Sequence, residues 1–455
     1  METENTSFRD RPLIIDETGK RRWIYAKQPK GKWYIRRTIF AWCCIAFLVL
    51  APIIKVNGNP LMLLDIANRR FSIFGNIIWS QDTYILALIM SVAVVFVVLF
   101  TVVFGRLWCG WACPQTIFIE MIYRRIEYVF DGNYRKSSKK KKSGFASTLT
   151  LLGKHFSFII VSIIITNVFL MWFTGPQKLL QIISEPISRN SVGFMFMIGI
   201  SIFYYWIYSY FREQVCTFAC PYGRLQGVLL DSKSISVIYD FKRGEPRGAK
   251  ETGDCIDCKQ CIAVCPTGID IKNGSQLECI NCTACIDECN IVMKRINKPQ
   301  NLIRFDSYNG VETGKKLIGN ARTYSYSAVL LILIIILGFT VSKRTPIDAT
   351  IMRLSGTLYQ TIDSATISNM YNVKIINKTN TNKNLSFRII NNKNGIIQLV
   401  GNSSLLKMNG TSESIMVIKL KKNNLAGKIT NLSIGIFEGE NFLETANINF
   451  IGPNK

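Results

Sequence analysis

Two stretches of this 455-residue chain are dense in cysteine at metal-binding intervals. Cys255, Cys258 and Cys261 run as C-x2-C-x2-C, with Cys265 and Pro266 following. Cys279, Cys282, Cys285 and Cys289 repeat the spacing and end in Asn290 where the first run has proline. Loops this short let three thiolates each grip one corner of an iron–sulfur cubane, while the fourth cysteine of each run crosses to the neighbouring cluster. The spacing predicts Cys255, Cys258, Cys261 and Cys289 around one [4Fe–4S] cluster, and Cys279, Cys282, Cys285 and Cys265 around a second. Clusters ligated this way lie close enough to pass single electrons. Zinc rarely needs so many cysteines in nested order, and a disulfide framework is disfavoured in a reducing cytosol. Asn290 alters the turn after Cys289 without removing a ligand.

A second pair of motifs follows apolar segments. WCGWACP carries Cys109 and Cys113, VCTFACP carries Cys216 and Cys220, and both read C-x3-C-P with alanine before the second cysteine. On a helix, thiols at i and i+4 share a face, so each pair can hold a soft metal ion or redox centre, with Pro114 and Pro221 limiting the helix there. Taken singly, such cysteines pack as small apolar residues. Their repetition at equivalent places in two halves, 38–125 and 156–235, argues for chemistry about a pseudo-twofold axis. Cys43 and Cys44 are adjacent and point apart, which reads as packing. His155, the sole histidine, reads as interfacial, and one imidazole cannot supply both axial ligands of a b-type haem.

The elements that position these residues follow from composition. A chain that is 48% hydrophobic with a formal charge of +25 is no single soluble domain, and no nucleic-acid recognition module accompanies the charge. Five apolar segments, at 38–54, 84–104, 156–174, 192–211 and 326–342, approach the roughly 20 residues that span a bilayer. The polar stretch before Thr38 is too long and charged for a cleavable signal peptide. RRWIYAKQPKGKWYIRR, RKSSKKKK and the Lys/Arg-rich lead into the last segment fall on one side, which reads as cytoplasm, with RKSSKKKK as an anchor near anionic membrane lipid; Arg69 and Arg70 fall on the other. The expected order is a cytoplasmic segment 1–37, a membrane domain 38–235, a cytoplasmic cluster domain 236–325, a fifth span 326–342 and an extracytoplasmic β domain 346–455.

That last region alternates apolar and polar residues in NVKIINKT, LSFRIINN, SIMVIKLKK and LSIGIFEG between Asn/Gly/Ser turns, as an antiparallel β-sandwich does. It holds no cysteine or histidine, so partner binding suits it better than catalysis. Its Asn-x-Ser/Thr triplets arise by chance in Asn-rich sequence.

WCGWACPQT and CTFACPYGRLQ, the insertion CIDCKQCIAVCPTGIDIKNGSQLECINCTACIDEC, and a final span leading to a β domain together resemble the FixG/RdxA/CcoG family. Members of that family are accessory proteins of cbb3-type cytochrome c oxidase assembly. The resemblance covers nearly the whole chain. It implies a helical transmembrane bundle with an inserted dicluster ferredoxin-like domain and a C-terminal immunoglobulin-like β-sandwich, in the bacterial cytoplasmic membrane. It further implies a cupric reductase that makes Cu(I) for the oxidase, with a cytoplasmic electron donor, copper and oxidase assembly components as partners. It carries the eight cluster cysteines over as ligands and makes Cys109, Cys113, Cys216 and Cys220 the copper or redox site. Copper as Cu(I) prefers thiolates, and a low-potential cluster is a competent one-electron donor to Cu(II). Two other readings stay open: a subunit exchanging electrons with a membrane quinone, and a non-catalytic assembly scaffold or redox sensor.

Overall fold

The structure is a computed structural model that describes residues 23–79, 82–132, 145–248, 251–274, 276, 278–314, 321–356, 358–363, 365–391, 395–400, 405–425 and 427–453. RKSSKKKK, at 135–142, and the Asn402 sequon lie outside them.

Among the described residues, five helices are long and apolar enough to cross a bilayer: Lys32–Leu50, Thr83–Phe104, Thr148–Thr174, Ser191–Phe211 and Ala321–Ser342. Mainly apolar runs without acidic residues or internal proline make them. The first starts at Lys32 rather than 38 and ends at Leu50 rather than 54. It starts early because Arg37 is not a headgroup anchor: it is 2% exposed, and its Nε donates to the Gly110 carbonyl at 2.7 Å. It ends early because Ala51 precedes Pro52, where a helix is hard to continue. The third helix begins at Phe145, well before the expected 156. The fourth changes at Ile207–Phe211 from α-helical to wider π-helical turns, which favour functional sites.

Between the fourth and fifth spans lie the cysteine-dense runs. Strands Ser236–Tyr239 and Ile303–Asp306 pair antiparallel and close this segment, with Asp306 opposite Ser236. Val237, Tyr239, Ile269, Ile271, Ile286, Met293, Leu302 and Ile303 form its core together with Cys255, Cys261 and Cys265.

The described chain divides into two compact units: one reaches Ile53 and resumes over Leu88–Ile334, the other holds Ile54–Ala87 and the chain from Ile335. The second unit is built on two antiparallel sheets. In one, the order is Ile396–Val400, Thr411–Lys421, Thr366–Asn377, Ile347–Arg353, with Gln360–Asp363 also paired to Thr366–Asn377. In the other it is Leu405–Leu406, Lys383–Ile389, Ile429–Glu438, Asn441–Ile451. Alternation sends Ile367, Val373, Ile375, Met416, Ile418, Ile434, Ile436 and Phe450 into one apolar core.

Five strands of two to four residues between Lys55 and Ile78 belong to the same unit; the sequence analysis named none of them, because alternation has no length in which to show. Asn59 Nδ2 donates to Asn380 Oδ1 at 2.8 Å. Asp82 is 2% exposed and accepts from Lys378 at 2.7 Å and Arg344 at 2.6 Å. Asp82→Ala leaves both cations without their buried carboxylate and is expected to cost about 3–5 kcal/mol, whereas breaking the exposed Lys374–Glu413 pair costs at most about 1 kcal/mol. Thermal unfolding of the two full-length variants, with limited proteolysis after residue 343, checks the contrast.

Candidate functional site

The two cysteine runs fold alike. Asp257 and Lys259 in the first, and Asn281 and Thr283 in the second, all take left-handed backbone angles, with φ of 50°, 55°, 52° and 67°. For residues other than glycine such angles cost about 1–2 kcal/mol each, so the surrounding packing must impose them. Asp257 and Asn281 are of types that favour that conformation, whereas Lys259 and Thr283 are not.

Cys255, Cys258, Cys261 and Cys289 line one cavity, walled by Tyr239, Lys272 and Met293. Cys289 thus stands with the first run, and burial pushes its thiol and that of Cys261 up to about 12. Cys258 is exposed, while Cys255 and Cys261 are buried. In the second run, Cys279, Cys282 and Cys285 each lie within electrostatic reach of Cys265, whose Sγ is 3.3 Å from Thr267 Oγ1. Burial raises Cys279 to about 12 and Cys282 to about 11. For Cys282 the strongest opposing influence is the Arg37 guanidinium. None of the fourteen cysteines is joined in a disulfide. Among the described residues no three His, Cys, Asp or Glu side chains converge closely enough for a single ion. A cubane holds its thiolates farther apart than one ion does, and two sets of four soft sulfur donors in buried pockets fit that group.

The membrane motifs differ locally from the expected helical pairs. Cys109 sits in the short helix Leu107–Trp111 and Cys216 in the π-helical turn Val215–Ala219, but Cys113 and Cys220 are extended, with ψ of 123° and 111°. The following proline forbids the helical angles at each. Pro114 and Pro221 then open new helices, Pro114–Phe118 and Pro221–Leu229, rather than merely ending old ones. The thiols still neighbour one another: Cys109, Cys113, Cys216 and Cys220 lie within one another's electrostatic reach. Burial lifts Cys109 to about 11 and Cys216 to about 12. Cys109 Sγ donates to Oε1 of the fully buried Gln226 at 3.3 Å. Cys43 is exposed, and Cys44 packs with Ala41, Ile117 and Met121. His155 bonds Tyr205 Oη at 2.9 Å.

The membrane motif and the second cysteine run are in contact. A Cβ at Gly110 would overlap the Ile280 carbonyl oxygen and stand 3.2 Å from Cys282 N. Trp111 Nε1 donates to the Asn281 carbonyl at 3.3 Å, and Cys109 joins an apolar cluster with Val264, Ile280, Cys282 and Cys285. The first span is tied in as well. Asp287, between Cys285 and Cys289, accepts from the Trp33 and Tyr34 amides at 3.2 and 2.8 Å, and Glu288 pairs with Lys27 at 2.8 Å. Arg124 is buried between Glu120, at 3.2 Å, and Glu213. A small cavity here is lined by Arg106, Glu120, Glu213, Cys216, Thr267 and Glu278.

Comparison with known proteins finds iron–sulfur and FixG-type matches along the chain. A 4Fe-4S dicluster domain profile matches residues 211–251 and 245–308, and a 4Fe-4S binding domain profile matches residues 86–141. The matched segments include both membrane motifs as well as the two runs. The IG-like fold at the C-terminus of FixG matches residues 337–453. Protein RdxA of Cereibacter sphaeroides is 30% identical over 379 residues, 78% of this chain and 79% of that one. Protein RdxB of the same organism is 29% identical over 383 residues, 79% and 80% respectively. Nitrogen fixation protein FixG of Rhizobium meliloti is 31% identical over 307 residues, 63% of this chain and 57% of that one. The chain therefore carries two [4Fe–4S] clusters.

Gly110→Ala drives a methyl group into the Ile280 carbonyl. It is expected to separate the motif from the second run and to release roughly half of the iron, one cluster of two. Iron per chain measured anaerobically checks this; full iron content would mean that the contact tolerates a side chain.

Proposed function

The chain belongs to the RdxA/RdxB/FixG family of iron–sulfur electron-transfer proteins, and from that premise we propose that it reduces Cu(II) to Cu(I) for assembly of a cbb3-type cytochrome c oxidase. The observation that carries the reading is the contact of the Cys109–Cys113 motif with the Ile280–Cys282 backbone, which leaves little room between the second run and the four membrane thiols. Cys255, Cys258, Cys261 and Cys289 hold one cluster, and Cys279, Cys282, Cys285 and Cys265 hold the other. When bound, the clusters supply single low-potential electrons. Exposure of Cys258 makes the first run the natural entry for a cytoplasmic electron donor.

Copper is the substrate. Glu120, Glu213 and Glu278 offer oxygen donors beside the Cys216 thiol, and Cys109, Cys113, Cys216 and Cys220 offer the sulfur that Cu(I) prefers. Cu(II) takes up one electron there and becomes Cu(I), and the cytoplasmic donor replaces that electron. In this reading both cysteine-bearing regions face the cytoplasm and the β-sandwich faces outward, towards oxidase assembly components.

A quinone-linked reading has its own observation. Phe169, Phe173, Leu179, Phe196 and Met197 line an apolar cavity between the third and fourth spans that suits a lipid-soluble carrier. Anaerobic stopped-flow oxidation of the dithionite-reduced protein separates the two. Fast oxidation by Cu(II), with matching Cu(I) captured by a chelator over many turnovers, supports copper reduction. Fast oxidation by a quinone and slow oxidation by Cu(II) transfers the assignment to the quinone, and inertness to both leaves a scaffold.

The double variant Cys109→Ser/Cys113→Ser is expected to lose at least about tenfold in cupric reduction while both cluster signals remain; an unchanged rate would move copper elsewhere. Cys289→Ser is expected to alter the electron paramagnetic resonance of the same cluster that Cys255→Ser alters, because ligation crosses between runs.

A further inference from the structure

Arg37 is a charge with no place in the electron path as described so far. It projects from the first span and is 2% exposed, and its Nε is fixed on the Gly110 carbonyl at 2.7 Å. Gly110 in turn lies against Ile280, Asn281 and Cys282. The guanidinium therefore sits at the junction between the membrane thiols and the second cysteine run. Its ion pair is loose: Glu120 is 3.9 Å away and is held more closely by Arg124, at 3.2 Å. A buried hydrogen bond to one carbonyl satisfies part of the side chain but cancels none of its charge.

We infer that Arg37 raises the reduction potential of the cluster at Cys279, Cys282, Cys285 and Cys265, and that Glu120 acts on the same cluster in the opposite sense. Reduction adds one negative charge to a cluster. A fixed positive charge in a poorly screened interior stabilises that reduced state, and a negative one opposes it. Glu120 lines a small cavity together with Pro266, Thr267 and Ile280, which neighbour Cys265 and Cys282 in the chain. Arg106 lines the same cavity and bonds the Gly223 carbonyl, so it contributes a constant background in the comparison below. Arg37 is a positioning residue in this account, for it acts through the charge it holds in place. A purely structural Arg37 would serve the Gly110 carbonyl and leave the potentials alone. The inference rests on clusters being bound at the two runs and does not need copper as substrate.

The test is an anaerobic redox titration of the full-length, detergent-purified protein followed by electron paramagnetic resonance, with the two clusters resolved. Arg37→Gln is expected to lower the potential of one cluster by at least about 59 mV, a tenfold change in its reduced-to-oxidised ratio for one electron, and to leave the other in place. Glu120→Gln is expected to shift that same cluster upward, and Arg37→Lys, which keeps the charge, to stay near the parent value. Unchanged potentials in both Arg37→Gln and Glu120→Gln would overturn the inference, as would equal shifts of both clusters. If Arg37→Gln does not retain iron, Glu120→Gln decides alone: an upward shift confined to one cluster supports the inference and no shift overturns it. Absence of cluster signals from the parent protein would instead refute the ligand assignment on which it rests.

Discussion

The close approach of Gly110 to the Ile280 carbonyl is the constraint on which the electron-transfer half of the molecule depends. With any side chain at 110, the loop between Cys279 and Cys282 would stand off from the Cys109–Cys113 motif. Several features hold the two together. Trp111 spans the junction to Asn281, and Asn281 Oδ1 accepts from the Val237 amide at 3.1 Å, which ties the loop to the strand that closes the cluster segment. Asp287 caps the amide end of the first span, and that span brings Arg37 to Gly110. One short contact thus recruits the first span, the second span and the cluster segment. Removing one partner of a buried charge or capping bond commonly costs one to several kcal/mol, on the order of what a cooperative fold can spare.

What sequence made legible and what it hid divide along the range of the interactions. The cysteine runs could be read because their spacing, not their fold, carries the information. The five spans could be read because a bilayer asks only for length and apolarity, and the long strands of the sandwich because their alternation persists for seven to twelve residues. The junction could not be read. Trp111 and Asn281 are 170 residues apart, and nothing local in CGWAC says that its glycine must meet a carbonyl. Charge counting likewise treated Arg37 as one more headgroup anchor, since a guanidinium bound to a buried carbonyl looks the same in sequence as one at the lipid surface. The helical reading of C-x3-C failed for a reason that was visible: the residue before each proline is pushed out of the helix, so Cys113 and Cys220 turn away from the face expected of them.

The second unit follows different physics. Its core is the interleaved apolar faces of two sheets, in which the Tyr371 hydroxyl donates to the Asn449 carbonyl at 2.9 Å, and its charged anchor, Asp82 with Arg344 and Lys378, lies outside that core. Such a domain gains stability from area and alternation and can present its surface to a partner without disturbing a reactive centre. The membrane unit has no such economy: Arg37, Arg124, Glu120 and Arg212 are held within it or at its edge, each needing a partner of opposite charge or a carbonyl.

The two cysteine runs sharpen this point. Both place non-glycine residues in the left-handed region at the same two steps of the loop, so their immediate backbone environments are close copies. A difference in redox behaviour between them must come from beyond the loops. At the first, Cys258 is open to water and Asp257 is engaged by Lys272. At the second, the apolar packing of Val264, Ile280 and Ala284 keeps water away, while a guanidinium from a transmembrane helix stands behind Cys282. Duplicated ligand loops are therefore differentiated by what each is docked against, and the membrane domain supplies the second loop's surroundings. The same contact that brings the membrane thiols close to the second loop also brings the Arg37 guanidinium to it.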